Sequence, residues 1–153
     1  MYKAIVITVS DRAANGIYED KSGPAVAQLL KSQGYEVCDM LIIPDEKNDI
    51  KKALLTACEK DVNLIVTTGG TGFAPRDITP EATKEIIERE APGIAEYMLR
   101  KSMEITPRGM LSRATAGIKD RSLIVNLPGS PKGAVENLGF ILPHLDHGLD
   151  LLS

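Results

Sequence analysis

Apolar runs and amphipathic stretches alternate along this chain. Ala4-Ile5-Val6-Ile7-Thr8-Val9 is almost wholly apolar and β-branched, the pattern of a strand covered on both faces of a parallel sheet. Val26, Leu29 and Leu30 then mark the inner stripe of a helix that Gly34 ends. Val37 to Ile43 predicts a second strand, and Ile50, Leu54, Leu55 and Cys58 recur at i, i+4, i+5 and i+8 as one face of a second helix. Val62-Asn63-Leu64-Ile65-Val66-Thr67 is again a buried-strand run. A helix over about 80–89 follows, then one starting near Pro92 that carries Ile94, Met98 and Leu99. Leu111–Ile118 and Leu123–Leu127 flank the turn-like Lys119-Asp120, which predicts a hairpin adding one antiparallel strand. Two helical stretches close the chain, one from Ser130 with Val135, Leu138 and Ile141, one with Leu145, Leu149 and Leu152. Strands alternating with helices imply right-handed crossovers, hence an α/β fold with a mostly parallel sheet covered by helices on both sides.

At 153 residues, with no linker, repeat or low-complexity tract, the whole chain (1–153) is expected to form a single domain. Lys and Arg total 18 against 21 Asp and Glu, a formal charge of −3, which argues against general attraction to nucleic acid or to an anionic membrane. Any anion site must therefore be local. No charged segment leading into an apolar one opens the chain and no apolar run approaches membrane-spanning length, so a soluble, cytoplasmic protein is expected. Cys38 and Cys58 lack CxxC spacing and read as buried thiols rather than as a disulfide or a metal pair. His144 and His147 lack an HExxH pattern and read as surface or capping residues.

The chemistry concentrates in Thr67-Thr68-Gly69-Gly70-Thr71-Gly72-Phe73-Ala74-Pro75-Arg76-Asp77-Ile78-Thr79-Pro80-Glu81, a glycine-rich loop between a buried strand and a helix. No Gly-Lys-Ser/Thr follows at Walker A spacing, and GxGxxG is absent. Residues 79–81 read as capping chemistry, with Thr79 as N-cap, Pro80 at the first helical position and Glu81 favouring the helix dipole. A plain turn needs neither Gly69, Gly70 and Gly72 together nor an Arg76-Asp77 pair. Glycine backbone can approach an anion closely, Arg76 offers a cation, and Asp77 can hold a metal ion between phosphates. In an open α/β sheet ligands bind outside the carboxyl ends of the strands. That rule predicts convergence of Ser10-Asp11-Arg12, Pro44-Asp45-Glu46, the 69–77 loop and Asn126-Leu127-Pro128-Gly129-Ser130-Pro131. Ser130 is a predicted N-cap whose free N–H groups near Lys132 and Gly133 suit an anion, although Pro-Gly-Ser-Pro is equally ordinary turn chemistry. Asp45 is either the N-cap of the next helix or, with Asp77, one of two carboxylates suited to Mg²⁺.

Taken together, Thr8-Val9-Ser10-Asp11-Arg12, Asp20-Lys21-Ser22-Gly23-Pro24, Pro44-Asp45-Glu46, Gly69 to Thr83, Met110-Leu111-Ser112-Arg113-Ala114 and Asn126 to Pro131 closely resemble the Mog-type molybdopterin adenylyltransferases of molybdenum cofactor synthesis. The resemblance spans nearly the whole chain in order, and GGTGxxPRDxTPEAT is its most specific part. It implies a three-layer α/β/α fold, a homotrimer, and transfer of AMP from ATP to the terminal phosphate of molybdopterin with release of pyrophosphate. A separate metal-insertion protein would accept the product. By position, Asp45 and Asp77 match the family's two functional aspartates, associated with Mg²⁺ and nucleotide. Gly69, Gly70 and Thr71 match the loop that contacts pterin and phosphate, Ser102 and Ser112 match serines of the substrate pocket, and Asn126, Pro128 and Gly129 match a loop near the nucleotide; the adjoining Gly72 and Ser130 are candidate substrate-binding residues beside them. The chain stops soon after its last helix, whereas some relatives continue. The alternative is a non-catalytic MoaB-type module that binds pterin or assists assembly. In the bacterial branch of that type the Arg-Asp of the loop is replaced, whereas Arg76-Asp77 and Asp45 all stand here, which favours the enzyme.

Overall fold

A computed structural model describes residues 1–153. Its centre is β1 (Lys3–Val9), whose residues from Ala4 onward are all buried, as the uninterrupted apolar run requires. After a short turn, α1 (Asp11–Ala14), the chain passes through α2 (Ser22–Ser32) to β2 (Glu36–Ile43), and through α3 (Lys47–Glu59) to β3 (Leu64–Thr68). Next come α4 (Thr79–Ile86), a two-residue strand β4 (Arg89–Glu90), α5 (Pro92–Ile105) and a 3₁₀ turn over Pro107–Leu111. The hairpin β5 (Ala116–Lys119) and β6 (Ser122–Leu127) leads into α6 (Pro131–Ile141), a second 3₁₀ turn over Leu142–His144 and α7 (Asp146–Leu152).

The six strands lie in the order β2-β1-β3-β6-β5-β4, and β2, β1, β3 and β6 are mutually parallel. Only β5 runs against the rest, so the expected single antiparallel strand is present. Alternate residues of the central strands feed two cores. Val6, Val66 and Val125 pack against Val26 and Leu30 of α2, Met98 of α5 and Leu138 of α6, while Ile5, Ile7, Ile65 and Ile124 pack against Ile50 and Leu54 of α3 and Ala82 of α4. The fold is three-layer α/β/α. No helix is long and apolar enough to cross a membrane.

Four local expectations need correction. The helix expected to reach residue 89 stops at Ile86, because Glu88 N donates to Ile118 O at 2.8 Å and pulls the chain onto the edge of β5 as β4. The strand expected from Leu111 begins only at Ala116. Pro107 sits in a 3₁₀ turn, and Arg113 N donates to Thr71 O at 2.8 Å, drawing residues 112–115 toward the glycine loop. Leu55 is 38% exposed, since it lies about 140° around α3 from Ile50, and Ala57 completes the buried face instead. Of the two thiols only Cys58 is buried, where burial, with the charge of Asp120 adding, pushes its pKa to about 11. Cys38 lies on the exposed outer side of β2, the edge strand.

Candidate active site

From β1 the chain goes outward to β2 and then returns past β1 to β3, so the direction of strand addition reverses between β1 and β3. The loops leaving their carboxyl ends diverge there and open a crevice. Its walls include Thr8 to Ser10 from β1, Asp45 after β2, Thr68 to Gly70 after β3, Asp77 and Gly129, around a cavity of about 230 Å³. Gly69 crosses directly over Val9, and a Cβ on it would collide with the Val9 carbonyl. Gly69 and Gly70 have φ of +102° and +70°, so both conformation and space demand glycine. Thr79 N donates to Gly70 O, which draws Thr79 into the first turn of α4 and leaves Ile78 as the cap residue. The expected Thr79 cap is therefore displaced by one position, and Thr79 Oγ1 is buried without a partner.

Asp45 does not cap α3 either, for that position is held by Glu46. Asp45 Oδ2 accepts from Asp11 N and Asp11 Oδ1 accepts from Asp45 N, both at 2.9 Å, a reciprocal pair that ties the β1 and β2 loops together. The cation offered by Arg76 is already engaged. Its Nε and Nη2 donate to Asp11 at 2.6 and 3.1 Å, and Nη2 donates to Glu46 at 2.8 Å. That pairing holds the Asp11 carboxyl below its usual range. Asp45 moves the other way: burial raises its pKa, and the nearby charges of Asp11 and Asp77 raise it further. Asp77 Oδ2 accepts from Ala74 N at 3.0 Å, which fixes the carboxylate at the end of the glycine loop. The crevice also contains Asp20, whose oxygens accept from Ser22 N, Gly23 N and the Thr8 hydroxyl, so Asp20 fastens the start of α2 to β1.

A second cavity, of about 450 Å³, opens on the other side of the glycine loop, between α5, the Pro107–Leu111 turn and α6. The sequence-derived residues divide between the two spaces. Asp45, Asp77, Gly69, Gly70 and Gly129 border the crevice, whereas Thr71, Gly72, Ser102, Ser112, Asn126, Pro128 and Ser130 border the larger cavity. Ser130 caps α6, accepting from Gly133 N at 3.1 Å. Asn126 is fully buried, with its amide donating to Thr67 and Thr83 and its oxygen accepting from Thr115 N, so its side chain joins β6, β3 and α4. Ser102 donates to Asn137 at 2.9 Å across the α5–α6 wall.

Two residues to which no role was given hold the assembly in place. Arg113 donates to Gly72 O, Asp77 O and Glu81 Oε2 at 2.8, 3.0 and 2.6 Å, clamping both ends of the 72–77 segment. Asp11 is the hub between Asp45 and Arg76. Each lies inside a motif visible in the sequence, but an Arg or Asp in a loop carries no mark of which carbonyl or amide it will meet.

Asp20, Asp45 and Asp77 line the crevice, and the neighbouring Arg76 is neutralised by Asp11 and Glu46, so a polyphosphate entering beside these carboxylates calls for a cation. No group of three or more His, Cys, Asp or Glu side chains is arranged to hold a metal. Two carboxylates completed by phosphate oxygens and water are the ordinary donor set for Mg²⁺, and Asp45 and Asp77 fit it. Burial is the main reason the Asp45 pKa is raised, and the repulsion from Asp11 and Asp77 that adds to it is what a shared cation would relieve.

The fold and site together define a class, a doubly wound α/β domain with a carboxylate-lined crevice at its switch point and a second, larger cavity across one glycine loop. The model of the family described as "probable molybdopterin binding domain" matches residues 5–147, and the chain belongs to that family. It is 43% identical over 150 residues to the molybdopterin adenylyltransferase of Helicobacter pylori strain J99, an alignment covering 96% of this chain and 85% of the relative. It is also 43% identical over 158 residues to the gephyrin of Dictyostelium discoideum, of which it spans 22%, while 97% of this chain is covered. The crystal structure of the molybdopterin biosynthesis enzyme MoaB from Thermus thermophilus superposes with a TM-score of 0.93 at 46% identity, covering 99% of this chain and 96% of that one.

Proposed function

We propose that this protein is a molybdopterin adenylyltransferase of molybdenum cofactor biosynthesis, a nucleotidyltransferase that uses ATP. The observation that carries the reading is the pairing of two spaces across the Gly69–Gly72 loop, one lined by Asp45 and Asp77, the other by Ser102 and Ser112. The reaction joins a terminal phosphate oxygen of molybdopterin to the α-phosphorus of ATP and breaks the bond to the β-phosphate, so pyrophosphate leaves. Such a transfer asks a protein mainly to position its reactants and to neutralise charge. Gly69 and Gly70 bring backbone up to the phosphates, and Arg113 keeps that loop rigid. Asp45 and Asp77 would hold Mg²⁺, which when bound supplies positive charge to the polyphosphate. Ser102 and Ser112 offer hydroxyls to the pterin side, and the shared loop keeps the two substrates in reach of one another.

The test is pyrophosphate release with purified protein. Release is expected only when molybdopterin, ATP and Mg²⁺ are all present; tight pterin binding with no pyrophosphate above background would instead favour the non-catalytic module. The resemblance further supports a cytoplasmic homotrimer that passes its product to a separate metal-insertion protein. Sedimentation at micromolar concentration is expected to give three times the chain mass. A monomer throughout that range would remove the trimer without touching the chemistry.

A further inference from the structure

One feature beside the crevice lies outside the carboxylate network. Ser10 Oγ accepts from Ala13 N and starts the single turn of α1, and Gly16, at φ +73°, reverses the chain so that Ile17 N donates to Arg12 O at 2.9 Å. The reversal carries Tyr18 back against the turn, with the guanidinium carbon of Arg12 at 5.5 Å from the centroid of its ring. Tyr18 is 45% exposed and lines the crevice together with Ser10, Asp45, Gly70 and Asp77. It is the only aromatic residue bordering either cavity. The turn is also firmly held, since Asp11 within it is locked to Asp45 and Arg76.

We propose that the Tyr18 ring, backed by Arg12, is the platform on which the base of the nucleotide stacks. The inference rests on the adenylyl-transfer reading and adds to it a positioning residue for ATP. At about 230 Å³ the crevice is smaller than the roughly 300 Å³ at which clefts for drug-sized ligands begin, so with the polyphosphate inside, the base lies at the mouth. An aromatic face is what a base seeks there, and the Arg12 guanidinium against the ring orders it in advance. Arg12 makes no ion pair that would compete for its guanidinium, in contrast to Arg76. Stacking serves any base, so this device positions the nucleotide and separates ATP from GTP only weakly.

Calorimetric titration with ATP and with inorganic tripolyphosphate, both with Mg²⁺, tests the proposal. Tyr18→Ala is expected to bind ATP roughly tenfold more weakly, the effect of losing one base–aromatic stack, while tripolyphosphate binds as to wild type. Tyr18→Phe keeps the ring and is expected to retain wild-type affinity for ATP. In turnover the Tyr18→Ala defect is expected in KM for ATP rather than in kcat. Wild-type ATP affinity in Tyr18→Ala, or equal losses for ATP and tripolyphosphate, would overturn the platform alone. A wild-type protein that binds neither ligand would overturn the nucleotide reading and the platform with it.

Discussion

Asp77→Asn is expected to lower adenylyl transfer about a thousandfold, the scale of several kcal/mol that a metal-held charge contributes, while the protein stays folded. Asparagine keeps the shape of the side chain, and its oxygen can still accept from Ala74 N, so the bend at the end of the glycine loop survives. What is lost is the charge of one of the two carboxylates assigned to Mg²⁺, Asp45 and Asp77, which line the crevice together with Asp20. The same change removes a charge that raises the Asp45 pKa, so the remaining carboxylate ionises more readily and yet lacks its partner. Turnover measured beside a urea unfolding curve separates the effects. Wild-type turnover by a normally folded Asp77→Asn protein at ordinary Mg²⁺ would rule out the role assigned to this residue.

Gly70→Val is expected to cost about 2 kcal/mol of stability and about a hundredfold in turnover. A β-branched residue resists the positive φ of this position, and its Cβ would collide with the Thr79 hydroxyl and crowd Asp45 Oδ1 at 3.2 Å. The carboxylate and the loop cannot both keep their places. Gly93→Ala, near the start of α5 where an added Cβ meets open space, serves as the control and is expected to leave turnover unchanged. Full activity in Gly70→Val would show that the loop does not approach the reacting groups.

The central sheet was legible because β1, β3 and β6 are buried on both faces and so appear as short apolar runs rich in β-branched residues. The switch-point rule pointed the loops after the strands toward one crevice, and the structure is what shows Asp45, Asp77 and Gly69 meeting there. Two kinds of feature escaped. Short edge elements such as β4 depend on tertiary capture, here Glu88 bonding to Ile118 and to Asp120 N, and leave no periodicity. Loop polar residues were assigned a direction that the sequence does not contain. Arg76, read as a free cation for an anion, turns to Asp11 and Glu46, and Arg113, without an assigned role, became the clamp of the glycine loop. The separation of the site into two spaces was likewise invisible, because it depends on how α5 and α6 pack beyond Gly72.

The most direct measurement follows the phosphorus atoms. ATP labelled at the α-phosphate is to be incubated with the protein, molybdopterin and Mg²⁺, in parallel with ATP labelled at the γ-phosphate, and the pterin product separated from pyrophosphate. Adenylyl transfer places the α-label in the pterin product and the γ-label wholly in pyrophosphate. Label from the γ-position in the pterin, or an α-label that never leaves the free nucleotide pool, would contradict the account.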